Sequence, residues 1–263
     1  MSDRSRTKSG RVVRTERIAP QMIRVVFEVD GFEVGPFTDS YVKLQFPRAD
    51  VVYPEPFDLG GIRASLPRDQ WPRTRTYTVR RWDGRELWID FVVHGDEGVA
   101  GPWAAKAQPG DVLHFAGPGG GYTPDPDADW HLMAGDESAL PAIAAAVEAL
   151  PAGAVAKVFV EVDGPEDEHD VPRVTWLHRS GRRRGEVLVE AVRTLEFPVG
   201  DVHVFVHGEA NAVKALRGHL RQERQVQRER MSISGYWRLG ADEDGWQAGK
   251  SDFNRAMELE QEA

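Results

Sequence analysis

A stretch rich in proline and aspartate, YTPDPDADW at residues 122–130, divides the chain into two halves with different periodicity. Such residues interrupt regular structure and are typical of turns and linkers. Before this stretch, short runs suited to β-strands end in turn residues; after it, apolar runs alternate with helical patterns. The change predicts two domains, residues 1–124 and residues 125–263.

The first half contains six strand-like runs and one short helical segment. Residues 41–46, YVKLQF, alternate as a half-buried strand does and stop at Pro47. A tight turn at Asp83 and Gly84 joins two further runs. The predicted strands are 12–17, 22–29, 41–46, 75–81, 87–93 and 111–116. Short strands joined by turns predict a small antiparallel β-barrel.

The second half alternates strands with helices. Residues 155–162, VAKVFVEV, resemble the buried strands of parallel sheets. The predicted strands are 130–133, 155–162, 174–177, 202–206 and 233–237, and the predicted helices are 139–150, 186–195 and 211–224. The fold class is therefore predicted as an antiparallel β-barrel followed by a parallel-sheet α/β domain.

Composition excludes several kinds of function. The 263 residues include no cysteine, which excludes disulfides, thiolate metal sites and cysteine-bound clusters and fits a cytoplasmic location. The basic, polar N-terminus has no apolar run behind it, and no run of 18 apolar residues occurs, so neither a secretory signal nor a membrane span is expected. A net charge of -9 argues against a nucleic-acid partner. We expect a monomer.

The string RTYTVR at residues 75–80 has the composition of a flavin-binding strand. On a strand, Arg75 and Tyr77 share one face, and Thr76 and Thr78 share the other. The ring can pack on an isoalloxazine, threonine hydroxyls can bond its polar edge, and an arginine can meet the phosphates. Taken alone, the string also fits an ordinary barrel strand.

The string HGDEGVAGPWA at residues 94–104 predicts a glycine-rich turn that opens a short helix. Pro102 suits the first turn of that helix. Free N–H groups at a helix start can bind a pyrophosphate, although a plain strand–turn–helix connection would look similar. The order of the two strings favours a flavin. The candidate residues here are His94, Gly98, Ala100, Gly101, Trp103 and Ala104.

Two strings in the second half lie between a predicted strand and a predicted helix. They are AGDESALP at residues 134–141 and HGEAN at residues 207–211. Open α/β sheets bind ligands at such points, but neither string is a G-x-G-x-x-G fingerprint, and Asp136 or Ser138 can equally be a helix N-cap. The candidate cofactor-binding residues are Asp136, Glu137, Ser138 and Ala139.

A last string, GYWRLG at residues 235–240, adds Trp237 as a candidate. Aromatic residues near the end of a reductase domain can cover a flavin, and they can equally be core residues. No histidine cluster has metal-ligand spacing, and no nucleophile elbow or P-loop is present. We therefore predict no metal site and no catalytic side chain.

The four strings together resemble the siderophore-interacting proteins, a branch of the ferredoxin-reductase-like flavoproteins. RTYTVR is similar to the flavin strand of that family and HGDEGVAGPWA to its pyrophosphate loop, while GDESALPAI and GYWRLG are the specific parts. The resemblance covers roughly residues 10–240. His207 stands where a small residue is expected, and the tail after Gly240 carries no recognised motif.

The resemblance implies an FAD-dependent enzyme that reduces siderophore-bound Fe(III) to Fe(II) and so releases iron inside the cell. The electron donor would be NADH, NADPH or reduced ferredoxin, and the acidic pair Asp136 and Glu137 favours NADH slightly. Two alternatives remain: a general NAD(P)H-dependent flavin or electron-transfer reductase, and a siderophore-utilisation binding protein without activity.

An anionic ferric siderophore needs a local basic patch on this acidic chain. Three cations neighbour the strings assigned to the flavin cleft, although each can be an ordinary surface residue. Residues 182–184, RRR, are expected in a distal loop. The candidate substrate-binding residues are Lys43, Arg73 and Arg238.

Overall fold

The computed structural model describes residues 7–93, 95–96, 98–241 and 243–262. The chain forms two compact units, Met1–Gly121 and Tyr122–Ala263. The predicted boundary between the FAD-binding and reductase domains, between residues 124 and 125, stays a prediction.

The first unit is a seven-stranded antiparallel sheet in the order β4-β3-β7-β1-β2-β6-β5. Tyr77 of β4 packs on Phe91 of β6 with ring centroids 4.5 Å apart. Because β4 is one edge of the sheet and β6 lies next to the other edge, this contact closes the sheet into a barrel, as predicted. The strands are β1 Lys8–Ala19, β2 Met22–Val29, β3 Tyr41–Phe46, β4 Arg73–Thr78, β5 Arg81–Trp82, β6 Glu86–Val92 and β7 Val112–Gly119.

The described residues of the barrel unit also form two α-helices, α1 (Leu59–Ser65) and α2 (Ala100–Lys106). Only α2 was predicted. Helix α1 escaped prediction because its sequence, LGGIRAS, begins with two residues of poor helix propensity after Leu59. It forms because Asp58 accepts a hydrogen bond from Gly61 N at 2.8 Å and because Ile62 is buried.

The second unit is a five-stranded parallel sheet in the order β10-β9-β8-β11-β12. Numbered within the unit, this is the doubly wound order 3-2-1-4-5, so the direction of winding reverses between β8 and β11. Ligands bind outside the carboxyl ends of the strands at that point. The strands are β8 Trp130–Asp136, β9 Val155–Val162, β10 Val174–His178, β11 Val202–Glu209 and β12 Met231–Trp237.

The α-helices in the described part of the second unit are α3 (Leu140–Ala149), α4 (Glu186–Thr194), α5 (Ala210–Gly218) and α6 (Glu243–Glu262). Leu188 of α4 and Leu216 of α5 share one buried apolar cluster with Val204 of the sheet. The predicted helix 211–224 is α-helical only as far as Gly218. A wider π-helical turn follows at His219–Glu223.

Helix α6 was not predicted. It is anchored by Trp246, whose ring lies 3.0 Å from the position that a Cβ would take on Gly235 of β12. Trp246, Phe253 and Met257 recur at helical spacing, and Trp246 and Met257 are buried. No helix among the residues described has both the length and the apolar character that a bilayer crossing requires.

Candidate functional site

The two turns that flank the reversal point of the parallel sheet pack against each other. Gly135 of β8 pairs in register with His207 of β11, and a Cβ on Gly135 would lie 2.7 Å from the His207 carbonyl oxygen. Gly208 has a φ of +135°, and a Cβ there would lie 2.6 Å from Asp136 Oδ2. Glycine is required at both positions because the two turns leave no space for a side chain.

The buried carboxylate of Asp136 joins these turns to the last strand. Its Oδ1 accepts hydrogen bonds from Ser138 N at 2.9 Å and from Ser138 Oγ at 2.5 Å. Its Oδ2 accepts from Glu209 N at 2.8 Å and from Trp237 Nε1 at 2.9 Å. Asp136 thus connects the ends of β8, β11 and β12 at the carboxyl edge of the sheet.

Burial first, and then the charge of Glu137, raise the pKa of Asp136 to about 6, while the hydrogen bonds from Ser138 and Trp237 oppose that rise. All four donors favour the ionised carboxylate. Asp136 is therefore mainly an anion at pH 7, and protonation begins within reach of mildly acidic conditions.

Trp237 is half-buried at the end of β12 and is held on two sides. Its indole N–H donates to Asp136, and the guanidinium of Arg184 lies 5.7 Å from the centroid of its ring. The backbone beyond it is anchored because Leu239 N donates to Glu209 Oε1 at 3.1 Å. Glu209 also caps α5 by accepting from Ala212 N at 3.0 Å. Residues of the GDES, HGEA and GYWR strings thus form one site.

Glu137 lies in a buried ion-pair network around Arg179, whose side chain is only 3% exposed. Arg179 Nη2 donates to Glu137 at 2.5 Å and Nε donates to Asp163 at 2.6 Å, with Glu161 at 3.5 Å. Burial opposes the charge of Arg179, but the bonds and charges of Glu137 and Asp163 outweigh it and raise its pKa. Sequence reasoning missed Arg179, since no local motif marks it.

Two expectations change with this network. Arg184 is not in a distal loop: it lies 3.6 Å from Glu137 and 3.8 Å from Asp163, beside Trp237. The carboxylates of Asp136 and Glu137 are engaged inside the protein, so the acidic pair gives no reason to favour NADH over NADPH. Ala139 is fully buried, and its methyl group would be 2.6 Å from a Cβ on Gly135.

His207 is a buried, neutral core histidine. Its ring packs on Phe205 at 4.1 Å and on Tyr236 at 4.7 Å between centroids, and its Nε2 lies 3.0 Å from Ser232 Oγ. Burial, followed by the positive charge of Lys250, lowers its pKa to about 3. The packing explains why this position accepts an imidazole where a small residue was expected.

In the barrel unit, strand β4 presents its two faces as the RTYTVR pattern predicts. Arg75 and Tyr77 pair in register with Leu44 and Val42, both fully buried, so all four project to the core side. Arg75 Nη1 donates to Thr74 O at 2.8 Å. Because β4 is an edge strand of the sheet, alternate backbone groups of it point away from β3.

Lys43 and Thr76 pair on the opposite, outer face of β3 and β4, and both are exposed. Arg73 is exposed but pairs with Phe46, on the core-facing side. Thr78 is buried. In the other unit, Arg238 is exposed and its guanidinium lies 5.4 Å from the ring centroid of Phe253 in α6.

Helix α2 packs tightly on the end of β6. A Cβ on Gly101 would lie 3.1 Å from Val92 O, and Ala100 and Ala104 are buried beneath the helix. Trp103 packs against Phe27, Phe46 and Phe91, with centroids 5.8–6.1 Å apart.

The turn before this helix contains Gly98, which has a φ of +80°. His94 lies outside the described residues. The roles predicted for these residues towards a cofactor stay predictions.

The chain thus combines an antiparallel barrel with a doubly wound unit that has polar turns at its reversal point. Two family models match successive parts of the chain. Residues 11–122 match the siderophore-interacting FAD-binding domain, and residues 128–240 match the siderophore-interacting protein model.

Relatives from several bacteria cover most of the chain. An uncharacterised protein of Mycobacterium tuberculosis is 48% identical over 93% of this chain and 95% of its own. The ferric vibriobactin reductase ViuB of Vibrio cholerae is 38% identical over 89% of this chain and 90% of its own. The NADPH-dependent ferric-chelate reductase of Escherichia coli is 34% identical over 86% of this chain and 91% of its own.

Among solved structures, a siderophore utilization protein from T. fusca is similar at 38% identity and a TM-score of 0.76, over 90% of this chain and 94% of that one. The chain therefore belongs to the siderophore-interacting protein family, and its first half is a siderophore-interacting FAD-binding domain. The predicted resemblance is confirmed.

Proposed function

We propose that this protein is an FAD-dependent oxidoreductase that reduces siderophore-bound Fe(III) to Fe(II). The observation that carries the proposal is the continuity of a siderophore-interacting FAD-binding domain with a doubly wound domain that has a polar reversal point. Relatives named as ferric vibriobactin reductase and ferric-chelate reductase span both halves of the chain.

The chemistry requires no resident metal ion in the protein. When bound, FAD supplies the redox chemistry by passing electrons from the donor to the ferric ion. Each NAD(P)H carries two electrons, so one donor molecule accounts for two ferric ions and releases one proton. Siderophores bind iron through hard oxygen ligands, which hold Fe(II) less tightly than Fe(III), and reduction therefore frees the metal.

The barrel unit offers groups that fit FAD. Strand β4 supplies the ring of Tyr77 and the guanidinium of Arg75, which share one face of the strand. The φ of +80° at Gly98 and the close packing at Gly101 support our inference that the pyrophosphate would bind at the entry to α2. Thr76 and Thr78 would complete the flavin site.

We infer that the electron donor binds at the carboxyl edge of the α/β unit. We infer NADPH as the donor, because a relative is named for it and because Arg184 lies there, 3.6 Å from Glu137, its nearest ion-pair partner among the described residues. A 2′-phosphate could take such a guanidinium as its partner. Reduced ferredoxin is the alternative donor. We infer that the protein is a cytoplasmic monomer, which is compatible with either donor.

Anaerobic spectroscopy of the purified protein tests this function. We expect a yellow protein whose flavin bleaches with NADPH and reoxidises when a ferric tris-catecholate is added, with Fe(II) trapped by a chromogenic chelator. NADH and reduced ferredoxin are compared in parallel. Flavin that NADPH reduces but ferric chelate does not reoxidise would identify a general flavin reductase, and colourless protein would identify a binding protein.

The flavin assignment is tested by the double variant Arg75→Ala with Tyr77→Ala. We expect folded protein that has lost FAD, measured by absorbance after gel filtration and by circular dichroism. Since Arg81 is exposed on β5, at the opposite edge of the sheet order from β4, Arg81→Ala is the matched control and should keep FAD. Stoichiometric FAD in the double variant would refute the assignment.

A further inference from the structure

We propose that Asp136 is a positioning residue that fixes the indole of Trp237 for binding of the NADP(H) donor. The inference rests on the proposed function, and it gives the buried aspartate a role that the GDES string alone does not suggest. Asp136 would act through Trp237 and would not touch the donor, because its carboxylate is almost fully buried.

The geometry supports an orienting role. A tryptophan indole has a single N–H donor, and that of Trp237 is bound to Asp136 Oδ2 at 2.9 Å. The same oxygen accepts from Glu209 N at 2.8 Å, so the position of the indole is tied to the β11–α5 turn. Arg184 lies over the ring from the β10–α4 loop. The ring is therefore fixed at its polar edge and over its face by different segments.

The arginines near Asp136 lie closest to other carboxylates, and Asp136 accepts hydrogen bonds from neutral groups. Arg179 is bound by Glu137, Glu161 and Asp163, and Arg184 lies closest to Glu137 and Asp163. The four donors to Asp136 are all neutral groups: Ser138 N and Oγ, Glu209 N and Trp237 Nε1. An ionised carboxylate that accepts hydrogen bonds from four neutral donors orients those donors without forming ion pairs with them.

The position of Trp237 explains why its orientation would matter to a dinucleotide. It ends β12, the strand that pairs in parallel with β11, and Glu209 pairs with Trp237 in register. The ring thus stands beside the β8/β11 reversal point, where doubly wound sheets bind dinucleotides. A half-buried aromatic ring there is suited to limit and direct the entry of a planar group.

A double-mutant cycle on NADP⁺ binding to the FAD-loaded protein tests the proposal. Asp136→Asn keeps the shape but leaves one acceptor oxygen for four donors, and Trp237→Phe removes the N–H while keeping a ring. We expect each change to raise the NADP⁺ Kd roughly fivefold, the effect of about one hydrogen bond. The double variant should be no worse than either single variant, because both changes remove one interaction.

A spectroscopic readout separates orientation from general damage. The indole N–H signal of Trp237, identified by its loss in Trp237→Phe, should shift and exchange faster with solvent in Asp136→Asn. Asp129 accepts a backbone N–H from Asp201 at 2.6 Å at the opposite edge of the sheet, so Asp129→Asn is the matched control. It should change neither the signal nor the Kd.

Several results would overturn the proposal. Effects on Kd that add in the double variant would show that Asp136 acts through Ser138 or Glu209, and an unchanged Kd or indole signal would show no role. If Asp136→Asn does not fold, Trp237→Phe must still raise the Kd. Wild-type protein that reduces ferric chelate but binds no NADP⁺ would refute this inference alone, whereas wild-type protein inactive with every donor would refute the proposed function.

Discussion

At the scale of single residues, burial of the Asp136 carboxylate lowers the free energy of unfolding at neutral pH. Its pKa is raised to about 6 in the folded protein, against about 3.9 in an unfolded chain. A carboxyl with a raised folded pKa contributes stability that is full below pH 3.9 and is lost as the pH rises through 6. The protein therefore keeps a charged carboxylate at neutral pH at some expense of stability.

We predict that this expense appears as a pH-dependent difference between the wild type and Asp136→Asn. The free energy of unfolding of the wild type should fall relative to the variant by about 3 kcal/mol between pH 4 and pH 6 and stay level above. Urea unfolding at a series of pH values measures it. Parallel curves for the two proteins over that range would contradict a raised pKa at Asp136.

Arg179 is the second residue on which the α/β unit depends. We predict that Arg179→Leu destabilises the protein by about 3–5 kcal/mol, because it removes the nearest cation from the buried carboxylates of Glu137 and Glu161. Arg182 offers a matched control, since its partners Glu186 and Glu190 are exposed. Arg182→Leu should unfold at nearly the wild-type urea midpoint, and equal losses in both variants would contradict the assigned role of the buried network.

At the scale of elements, the close contact between α2 and β6 limits which side chains α2 can accommodate at position 101. A Cβ on Gly101 would lie 3.1 Å from Val92 O and 3.4 Å from Val93 Cα, both backbone atoms. Because a backbone cannot move aside as a flexible side chain can, the helix must shift outward by a few tenths of an ångström. The turn at Gly98 would shift with it.

We predict that Gly101→Ala weakens FAD binding by roughly tenfold, the equivalent of about 1.4 kcal/mol, by displacing the first turn of α2. Fluorescence titration of apoprotein with FAD measures the change. Gly249 of α6 has open space at its Cβ position, so Gly249→Ala should bind FAD as the wild type does. Wild-type affinity in Gly101→Ala would argue against a cofactor role for this helix.

At the scale of the whole molecule, a net charge of -9 opposes the approach of an anionic ferric siderophore. A local basic patch can focus the field and raise the association rate by roughly 10- to 1000-fold at low salt. Lys43 is exposed and pairs in register with Thr76 of β4, Arg73 of β4 is exposed, and Arg238 is exposed in the other unit.

We predict that Lys43→Glu and Arg238→Glu each slow reduction of a ferric tris-catecholate while leaving FAD content and flavin reduction intact. Rising salt should slow the wild type in the same direction, because exposed charges are screened beyond about 8–10 Å near physiological ionic strength. Lys157, exposed near the amino end of β9, provides the control Lys157→Glu. Rates insensitive to salt and to both variants would exclude electrostatic capture by these cations.

What the sequence determined by itself was the fold class, the family and the elements with clear periodicity, but not helices α1 and α6. Strand alternation, helical periodicity and turn chemistry are local properties, so YVKLQF, VAKVFVEV and the alanine-rich helix after GDES could be read directly from neighbouring residues. The short family strings are equally local. Helix α1 was not predicted because its two glycines disfavour a helix. The N-cap Asp58 and the buried side chain of Ile62 stabilise it nevertheless.

Only the tertiary structure decided which side chains meet. Asp136 and Trp237 are 101 positions apart, and Arg179 reaches Glu137 across 42. Such pairings depend on strand order, which follows from how the strands and helices bury their apolar faces together and not from any local pattern. The acidic pair that seemed to face a donor is internal for the same reason: a buried carboxylate must find donors, and the folded chain brings them from distant segments.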